Sequence, residues 1–163
     1  MAKTFEDYFT EYQTDMISIA MEYADYREEV ETLFVYASCE EGAQTCNYFF
    51  KVNGKIVRKS KINEVLHPGV QPFDVSRQRQ AMAGRIMMDD FRKIYELCEE
   101  YDREMPTEFR IVYNPKTNKV STDYCYDLVR TKDPNNRKTG AERMDEWMAE
   151  EAAKLGQNHT PLF

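Results

Sequence analysis

The middle of the chain contains two stretches in which hydrophobic and polar residues alternate. Residues 108–114 and 119–127 each follow the period of two that is typical of a half-buried β-strand. The segment between them, residues 114–118, begins with Asn-Pro and ends with Asn, which favours a tight turn. The pattern therefore predicts an antiparallel hairpin, which is stable only as part of a larger sheet or against a helix.

Three consecutive strands are predicted nearer the amino terminus. Residues 32–38 and 46–52 are rich in the β-branched and aromatic side chains that strands prefer. Asn53-Gly54 has the sequence of a type I′ turn, so the return strand is expected over residues 55–58. These strands predict an antiparallel meander.

Hydrophobic residues recur at helical spacing in the first 30 residues. Thr4 and Asp7 have the spacing of a capping box, and the pattern predicts a helix that ends near residues 27–30. The polar side of this helix carries a first acidic row with no Lys or Arg in it: Asp7, Glu11, Asp15, Glu22 and Asp25. Like charges at this spacing repel by about 0.2–0.5 kcal/mol per pair. The first acidic row is either a solvated face or a docking surface for a basic partner.

A longer helix is predicted from a cap at Asp74 or Ser76 to about Arg103. Its buried stripe contains Ala83, Met87, Phe91, Ile94, Cys98 and Tyr101. Arginines crowd its amino end and acidic residues crowd its carboxyl end, so both groups oppose the helix dipole. A second acidic row near the carboxyl end is a further candidate docking site: Glu96, Glu99 and Glu100.

A basic loop over residues 130–140 leads into a final helix that begins at Thr139 or Gly140. The residues of this helix predicted to cover the sheet are Met144, Trp147, Met148 and Leu155. Residues 157–163 are expected to be a loose tail. The predicted fold is α+β, a single domain over residues 1–163. Its antiparallel sheet of about five strands, a three-strand meander plus a hairpin, packs against an N-terminal helix, a long central helix and a C-terminal helix.

Charge changes this picture more than overall composition does. The chain has 29 acidic and 22 basic residues and a formal net charge of −7. This balance favours a basic protein as the partner and argues against direct binding of nucleic acid or of an anionic membrane. We expect a cytoplasmic protein, because the amino terminus lacks the apolar core of a signal peptide and no later stretch could span a bilayer.

The sequence contains no pattern typical of a metal site. The cysteines are Cys39, Cys46, Cys98 and Cys125. None of them forms a C-x-x-C pair, and each of the two histidines stands alone. We therefore predict no metal and no cofactor, and we interpret the cysteines as small hydrophobic residues of the core.

A search for catalytic motifs finds little. The sequence has no Walker loop, no G-x-G-x-x-G and no G-x-S-x-G. Asp123 and Asp127 lie on one face of the predicted return strand and could act as paired carboxylates. A spacing of four along a strand separates them by roughly 13 Å, which is too far for direct cooperation. We predict that the chain is not an enzyme, and a small carboxylate-dependent enzyme is kept as an alternative.

Several segments occur in a recognisable order. They are residues 33–37, 48–50, 109–113 and 119–124, followed by Glu142-Arg143 and Glu146-Trp147. In this order, over roughly residues 30–150, they resemble the YezG-like antitoxin family, which comprises small acidic immunity proteins of Gram-positive bacteria.

This resemblance implies that the protein binds a cognate toxin in the producing cell and blocks it. Members of the family are typically found beside secreted toxins with C-terminal nuclease domains, which are often exported by type VII secretion systems. An acidic inhibitor of a basic nuclease is consistent with the net charge of −7. A general adaptor or export chaperone without inhibitory activity is a further alternative.

Overall fold

The computed structural model describes residues 2–157, whose helices and strands follow the predicted order. They are α1 (Phe5–Tyr23), β1 (Val30–Glu40), β2 (Ala43–Val52), β3 (Lys55–Arg58), a 3₁₀ helix (Lys59–Val65), α2 (Arg77–Glu100), β4 (Glu108–Asn114), β5 (Lys119–Cys125) and α3 (Gly140–Lys154). The α+β prediction is confirmed. Within the described residues, none of the helices combines the length and hydrophobicity that a bilayer-spanning helix requires.

The strands form a five-stranded antiparallel sheet in the order β3-β2-β1-β4-β5. β1 lies at its centre and pairs with β2 on one side and with β4 on the other. The predicted hairpin of β4 and β5 therefore extends the meander on the free side of β1. β1 and β2 are longer than predicted, because their pairing continues to Glu40 and Ala43 around a turn in which Glu41 and Gly42 adopt positive φ angles.

Helices cover both faces of the sheet. α1 and α2 pack on the face that contains Leu33 and Phe50. α3 packs on the opposite face, where the Trp147 ring lies 5.5 Å from that of Phe34 and 5.1 Å from that of Phe49. Because β1 is covered from both sides, its residues from 33 to 40 are all buried.

The predicted helix starts are confirmed. Thr4 caps α1 and Thr139 caps α3, each through a capping box, and the Ser76 side chain caps α2. At the start of α3, Gly140 approaches β2 so closely that a Cβ atom there would lie 2.7 Å from the Cβ of Thr45. The absence of a side chain at this position allows the helix to pack directly on the sheet.

α1 ends earlier than the sequence predicts, at Tyr23. Asp25 and Tyr26 adopt positive φ angles of 52° and 51°. Arg79 of α2 donates hydrogen bonds to the carbonyl oxygens of Glu22 and Tyr23, which satisfies acceptors that the helix end leaves open. This cap comes from a residue far away in the sequence, so the local pattern could not show it.

Two residues of the predicted buried stripes are exposed instead. Tyr101 and Leu155 are the C-caps of α2 and α3, so each lies just past the part of its helix that the rest of the chain covers. The other members are buried as predicted: Ala83, Met87, Phe91, Ile94, Cys98, Met144, Trp147 and Met148.

The predicted loose tail begins with a residue that is held in place. The side-chain amide of Gln157 accepts a hydrogen bond from the Ile56 N–H at 2.7 Å and donates one to the Ile56 carbonyl at 2.9 Å. The rest of that prediction, residues 158–163, lies outside the described residues.

Candidate functional site

α1 and α2 lie antiparallel and form a helical layer on one face of the sheet. At one end of the layer, the rings of Phe5 and Tyr101 lie 5.6 Å apart and Arg103 pairs with Glu6 at 3.0 Å. At the other end, Arg79 reaches the carboxyl end of α1. The antiparallel arrangement places the beginning of α1 beside the end of α2, where the second acidic row lies.

A shallow depression between the helices lies beside the second acidic row. Tyr12 of α1 lines it together with Lys93, Glu96, Leu97 and Glu100 of α2. We use the term acidic surface for the members of both rows, all of which are exposed: Asp7, Glu11, Asp15, Glu22, Asp25, Glu96, Glu99 and Glu100. The sequence predicted two separate candidate sites, and the structure brings them to one helical layer.

Three members of the acidic surface have partners within the chain. Asp7 belongs to the capping box of α1. Glu11 pairs with Lys3 at 2.9 Å. Asp25 lies beyond the end of α1 and pairs with Arg79 at 2.7 Å. Because the first acidic row contains no Lys or Arg, the basic partners come from elsewhere. Lys3 lies in the segment before α1, and Arg79 lies on α2.

The other five members have no salt bridge to any residue between 2 and 157. They are Asp15, Glu22, Glu96, Glu99 and Glu100. The last turn of α2 contains no basic residue, so the second acidic row lies at the negative end of the helix dipole without compensation. Each charge placed in this way costs about 0.3–1 kcal/mol at low salt.

A buried carboxylate adds to the negative charge of the layer. Asp90 of α2 is buried, and its cationic neighbour is Lys93 at 3.9 Å. Burial, and then the charge of Asp15 on α1, raises the pKa of Asp90 to about 6. At neutral pH, therefore, Asp15 and the ionised Asp90 repel each other, and a cation from a partner molecule near Asp15 would relieve the repulsion.

A second depression, of about 250 Å³, lies between the carboxyl end of α1 and the amino end of α2, and Glu22 is among its lining residues. Met82 and Ile86 line it as well, and they are 50% and 46% exposed. Sequence reasoning missed both residues. The sequence did contain a sign of them, because Met82 directly precedes Ala83 and Ile86 directly precedes Met87, two members of the buried stripe. The apolar side of α2 is therefore wider than the part of it that the rest of the chain covers. An apolar patch next to carboxylates has the composition of a protein-binding surface.

Charges on the opposite face of the sheet are paired. Glu108 of β4 is buried and accepts hydrogen bonds from the Tyr36 hydroxyl at 2.6 Å and from two Arg143 nitrogens at 3.0 Å each. Hydrogen bonding to Glu108 raises the pKa of Arg143. Arg110 pairs with Glu150 at 3.1 Å. This network connects α3 to β4 through complementary charges.

Asp123, the centre of the alternative enzyme hypothesis, lies at the margin of the same network. It lines a cleft together with Glu108 and Arg143. Asp127 lies beyond the end of β5, so the two aspartates do not share a strand as the sequence predicted. The carboxylate that accompanies Asp123 in this cleft is therefore Glu108, which is already bonded to Arg143 and Tyr36.

Glu40 at the end of β1 holds the basic loop. Its buried carboxylate accepts hydrogen bonds from the backbone N–H groups of residues 129–131. Burial acts against ionisation, but these hydrogen bonds outweigh it and lower the pKa of Glu40. Within the loop, Arg137 pairs with Glu41. Part of the positive charge of the loop is therefore neutralised within the chain.

The thiols show the environment of core residues rather than of ligands. All four cysteines are free, with Cys39 and Cys98 buried and Cys46 and Cys125 half-buried. Burial raises the pKa of Cys46 to about 12, so this thiol is protonated at neutral pH. Within residues 2–157, no three or more His, Cys, Asp or Glu side chains are grouped so that they could hold a metal ion.

The candidate site is thus the outer side of α1 and α2, which carries five exposed carboxylates without a salt bridge to residues 2–157 and, beside Glu22, the exposed apolar side chains of Met82 and Ile86. Its acidic residues come from two stretches that are far apart in the sequence, residues 7–25 and 96–100. No protein-family model matches the chain, and a search of curated proteins finds no relative of it.

Proposed function

We propose that this protein is an immunity protein that binds a cognate toxin and inhibits it. In this proposal the acidic surface on α1 and α2 contacts a basic nuclease domain of the toxin inside the cytoplasm of the producing cell. The resemblance of the sequence to YezG-like antitoxins supports the proposal, and so does the net charge of −7.

The observation that carries the proposal is the set of five exposed carboxylates without a salt bridge within the described part of the chain. The second acidic row opposes the dipole of α2, and Asp15 repels the buried Asp90. Neither arrangement benefits the stability of the free protein. A basic partner would convert both into favourable contacts and would also associate faster through electrostatic steering.

Exposed apolar and aromatic side chains supply the other component that an interface needs. Met82 and Ile86 lie in the depression that Glu22 also lines. Tyr26 and Tyr101 are exposed near the carboxyl ends of α1 and α2. Tyrosine and methionine are enriched in protein interfaces, whereas isolated carboxylates are more typical of the rim. We infer that the apolar depression forms the centre of the contact and that the carboxylates provide its specificity.

The proposal is tested by capturing the partner and measuring its inhibition. The tagged protein is purified from its native host, the bound protein is identified, and the nuclease activity of that protein is measured while the immunity protein is added. We expect activity to disappear at equimolar amounts. A bound protein whose activity does not change would contradict inhibition and would indicate an adaptor or an export chaperone.

Charge-reversal variants test whether the acidic surface is the site of contact. The two test variants are Asp15→Lys/Glu22→Lys and Glu96→Lys/Glu99→Lys. The matched control is Glu28→Lys/Glu64→Lys, which changes the net charge by the same amount at exposed positions outside α1 and α2. We expect each test variant to weaken binding by about tenfold or more, with a smaller defect at high salt. An equal loss in the control would show that only total charge matters.

A further inference from the structure

The two edges of the sheet differ in whether their backbone groups are covered. At β3, a strand of four residues, the amide of Gln157 bonds both to the N–H and to the C=O of Ile56. This side chain occupies the place that a neighbouring strand would take. Arg58 of β3 also pairs with Asp145 of α3 at 2.6 Å. The β3 edge is therefore closed to further strands.

The edge at β5 has no such cover within the described residues. β5 has seven residues and no proline, and its ladder connects it to β4 on one side. Five of the seven residues are exposed and the other two are half-buried. An edge strand of this length presents a row of unpaired N–H and C=O groups to solvent, which is a template for another strand.

Apolar side chains are exposed both on β5 and in the segment that follows it. Val120 and Leu128 are 52% and 49% exposed, and Tyr124 and Tyr126 are exposed as well. Natural edge strands are usually protected by charges, prolines or bulges. β5 carries two such charges, Lys119 and Asp123, but they have opposite signs, so a strand of complementary charge can pair with this edge.

We propose that β5 pairs with β5 of a second copy of this chain. The two strands run antiparallel about a two-fold axis at Thr122, and the sheet continues across the resulting homodimer. The choice of a second copy rests on the charges at the two ends of the strand. Lys116 and Lys119 lie at its start, whereas Asp123 and Asp127 lie at its end or just beyond. Antiparallel self-pairing brings each basic end to the acidic end of the partner.

The register about Thr122 pairs the whole of β5 with itself. Val120 lies opposite the partner's Tyr124, which is a favourable pair of a β-branched and an aromatic residue. Ser121 lies opposite the partner's Asp123, and the same contacts occur twice by symmetry. Lys119 has the partner's Asp123 as its diagonal neighbour, within reach of a long side chain. Residues that point to one face in one copy meet residues of the same face in the other.

A parallel arrangement of the same strands fits less well. It would bring Lys119 next to the partner's Lys119 and Asp123 next to the partner's Asp123, and like charges in such positions repel. The antiparallel dimer joins the copies through β5, whereas the members of the acidic surface lie on α1, at its end and on α2. The inference is therefore independent of the proposed binding of a toxin. Because a single strand pair buries little surface, we expect a dimer that dissociates on dilution.

The first experiment measures the mass of the protein in solution at physiological salt. Sedimentation or light scattering is followed from about 1 µM to 1 mM protein, a range that covers weak to moderate association. We expect the mass to rise from the chain mass of 19.3 kDa towards twice that value. A constant chain mass over the whole range would overturn the proposal.

A charge swap then tests the register. Lys119→Asp and Asp123→Lys each place like charges at the two-fold interface, and we expect each to weaken dimerisation by about tenfold or more. The double variant, Lys119→Asp/Asp123→Lys, restores opposite charges between residues 119 and 123 of the two copies and is expected to recover the dimer. Glu64→Lys is the control for a reversal elsewhere on the surface. Thermal melting of all variants confirms that they are folded.

Hydrogen exchange of the unmodified chain provides a test that needs no variant. If β5 pairs with a second copy, the outward-facing amides of residues 119–125 become protected as the concentration rises. Protection that does not change with concentration would overturn the proposal. A dimer that tolerates both single reversals, or a folded double variant that remains monomeric, would likewise show that the copies meet in another way.

Discussion

The carboxylates on the two faces of the sheet differ in whether they have basic partners. Under α3, the buried carboxylate of Glu108 is surrounded by Arg143 and Tyr36, and Arg110 lies between β4 and α3 with its own carboxylate partner. On the outer side of α1 and α2, five carboxylates have no salt bridge within residues 2–157, and Asp90 is buried beside Lys93 at 3.9 Å. The buried carboxylate under α3 is therefore paired, whereas five exposed carboxylates of the helical layer are not.

The difference indicates which charges serve the folded chain and which are available for a partner. A paired buried carboxylate is strongly destabilising when its partner is removed, because the remaining charge is left without compensation. Removing an exposed carboxylate that repels its neighbours costs nothing or even stabilises the protein. Substitutions that remove a charge should therefore lower the free energy of unfolding under α3 and leave it unchanged or raise it on the outer side of α1 and α2.

The largest effect is expected from Arg143→Ala. This change leaves the buried Glu108 without its two charged hydrogen bonds and should lower the free energy of unfolding by about 3–5 kcal/mol. The measurement is denaturant unfolding at pH 7. Arg137→Ala removes an exposed arginine that pairs with Glu41 and serves as the control, with an expected loss of no more than about 1 kcal/mol. Equal losses for the two variants would contradict a structural role for the buried pair.

A smaller loss is expected from Glu40→Ala, which leaves the N–H groups of residues 129–131 without their acceptor. The expected cost is about 1–3 kcal/mol, against almost none for the exposed neighbour in Glu41→Ala. The folded-state pKa of Glu40 is lowered, so its contribution is complete above the ordinary value of 4.5 and is lost as the pH falls through the lowered pKa. Unfolding curves at pH 7 and at pH 3 should therefore show a smaller difference between variant and wild type in acid.

Asp90→Asn should have the opposite sign. The folded-state pKa of about 6 lies above the ordinary value of 3.8, so the folded chain holds this proton more tightly than the unfolded chain does. The contribution of Asp90 to stability therefore declines as the pH rises from about 4 to about 6 and stays constant above that range. We expect the variant to be more stable than wild type by about 1–2 kcal/mol at pH 7.5.

At pH 3 the advantage of Asp90→Asn should largely disappear, because this pH lies below both the ordinary pKa of 3.8 and the folded-state pKa of about 6, so the wild-type carboxyl is mainly protonated in both states. The groups that act on Asp90 are Asp15, Asp89 and Lys93. Asp145→Asn is the matched control, since Asp145 is exposed, pairs with Arg58 at 2.6 Å and is not one of these groups. A destabilised Asp90→Asn at pH 7.5 would mean that the charge of Asp90 holds the helical layer together.

The smallest effect is expected from Glu96→Lys/Glu99→Lys in the absence of a partner. Reversing two charges at the negative end of the α2 dipole should raise the free energy of unfolding by a few tenths of a kcal/mol to about 1 kcal/mol at low salt. Melting curves at low and high salt measure it, because screening should remove the gain. A clear loss of stability would show that these carboxylates have a structural role within the chain.

The sequence predicted those parts of the fold that depend on local chemistry. The Asn53-Gly54 turn defined β3, and the capping box at Thr4 defined the start of α1, because turns and caps involve residues only a few positions apart. The end of α1 was predicted too late. Its cap is Arg79, more than 50 residues away, and such a contact leaves no local pattern.

The candidate site was predictable only in part, for the same reason. Helical periodicity predicted that the first acidic row would be exposed, and the structure shows that both rows are. It could not show that antiparallel packing places them in one layer, nor that Lys3 would pair with Glu11. Local patterns could not show that Glu108 would pair with Arg143 either, because these residues lie on β4 and α3, 35 positions apart. The binding role of the acidic surface stays a prediction.

The central claim, that the acidic surface binds a basic partner, is tested most directly by the affinity of Glu96→Lys/Glu99→Lys for the captured partner, measured by calorimetry beside the control Glu28→Lys/Glu64→Lys. We expect a test variant that is at least as stable as wild type yet binds about tenfold or more weakly, with a control that binds almost as well as wild type. A folded test variant that binds and inhibits like wild type would contradict the claim.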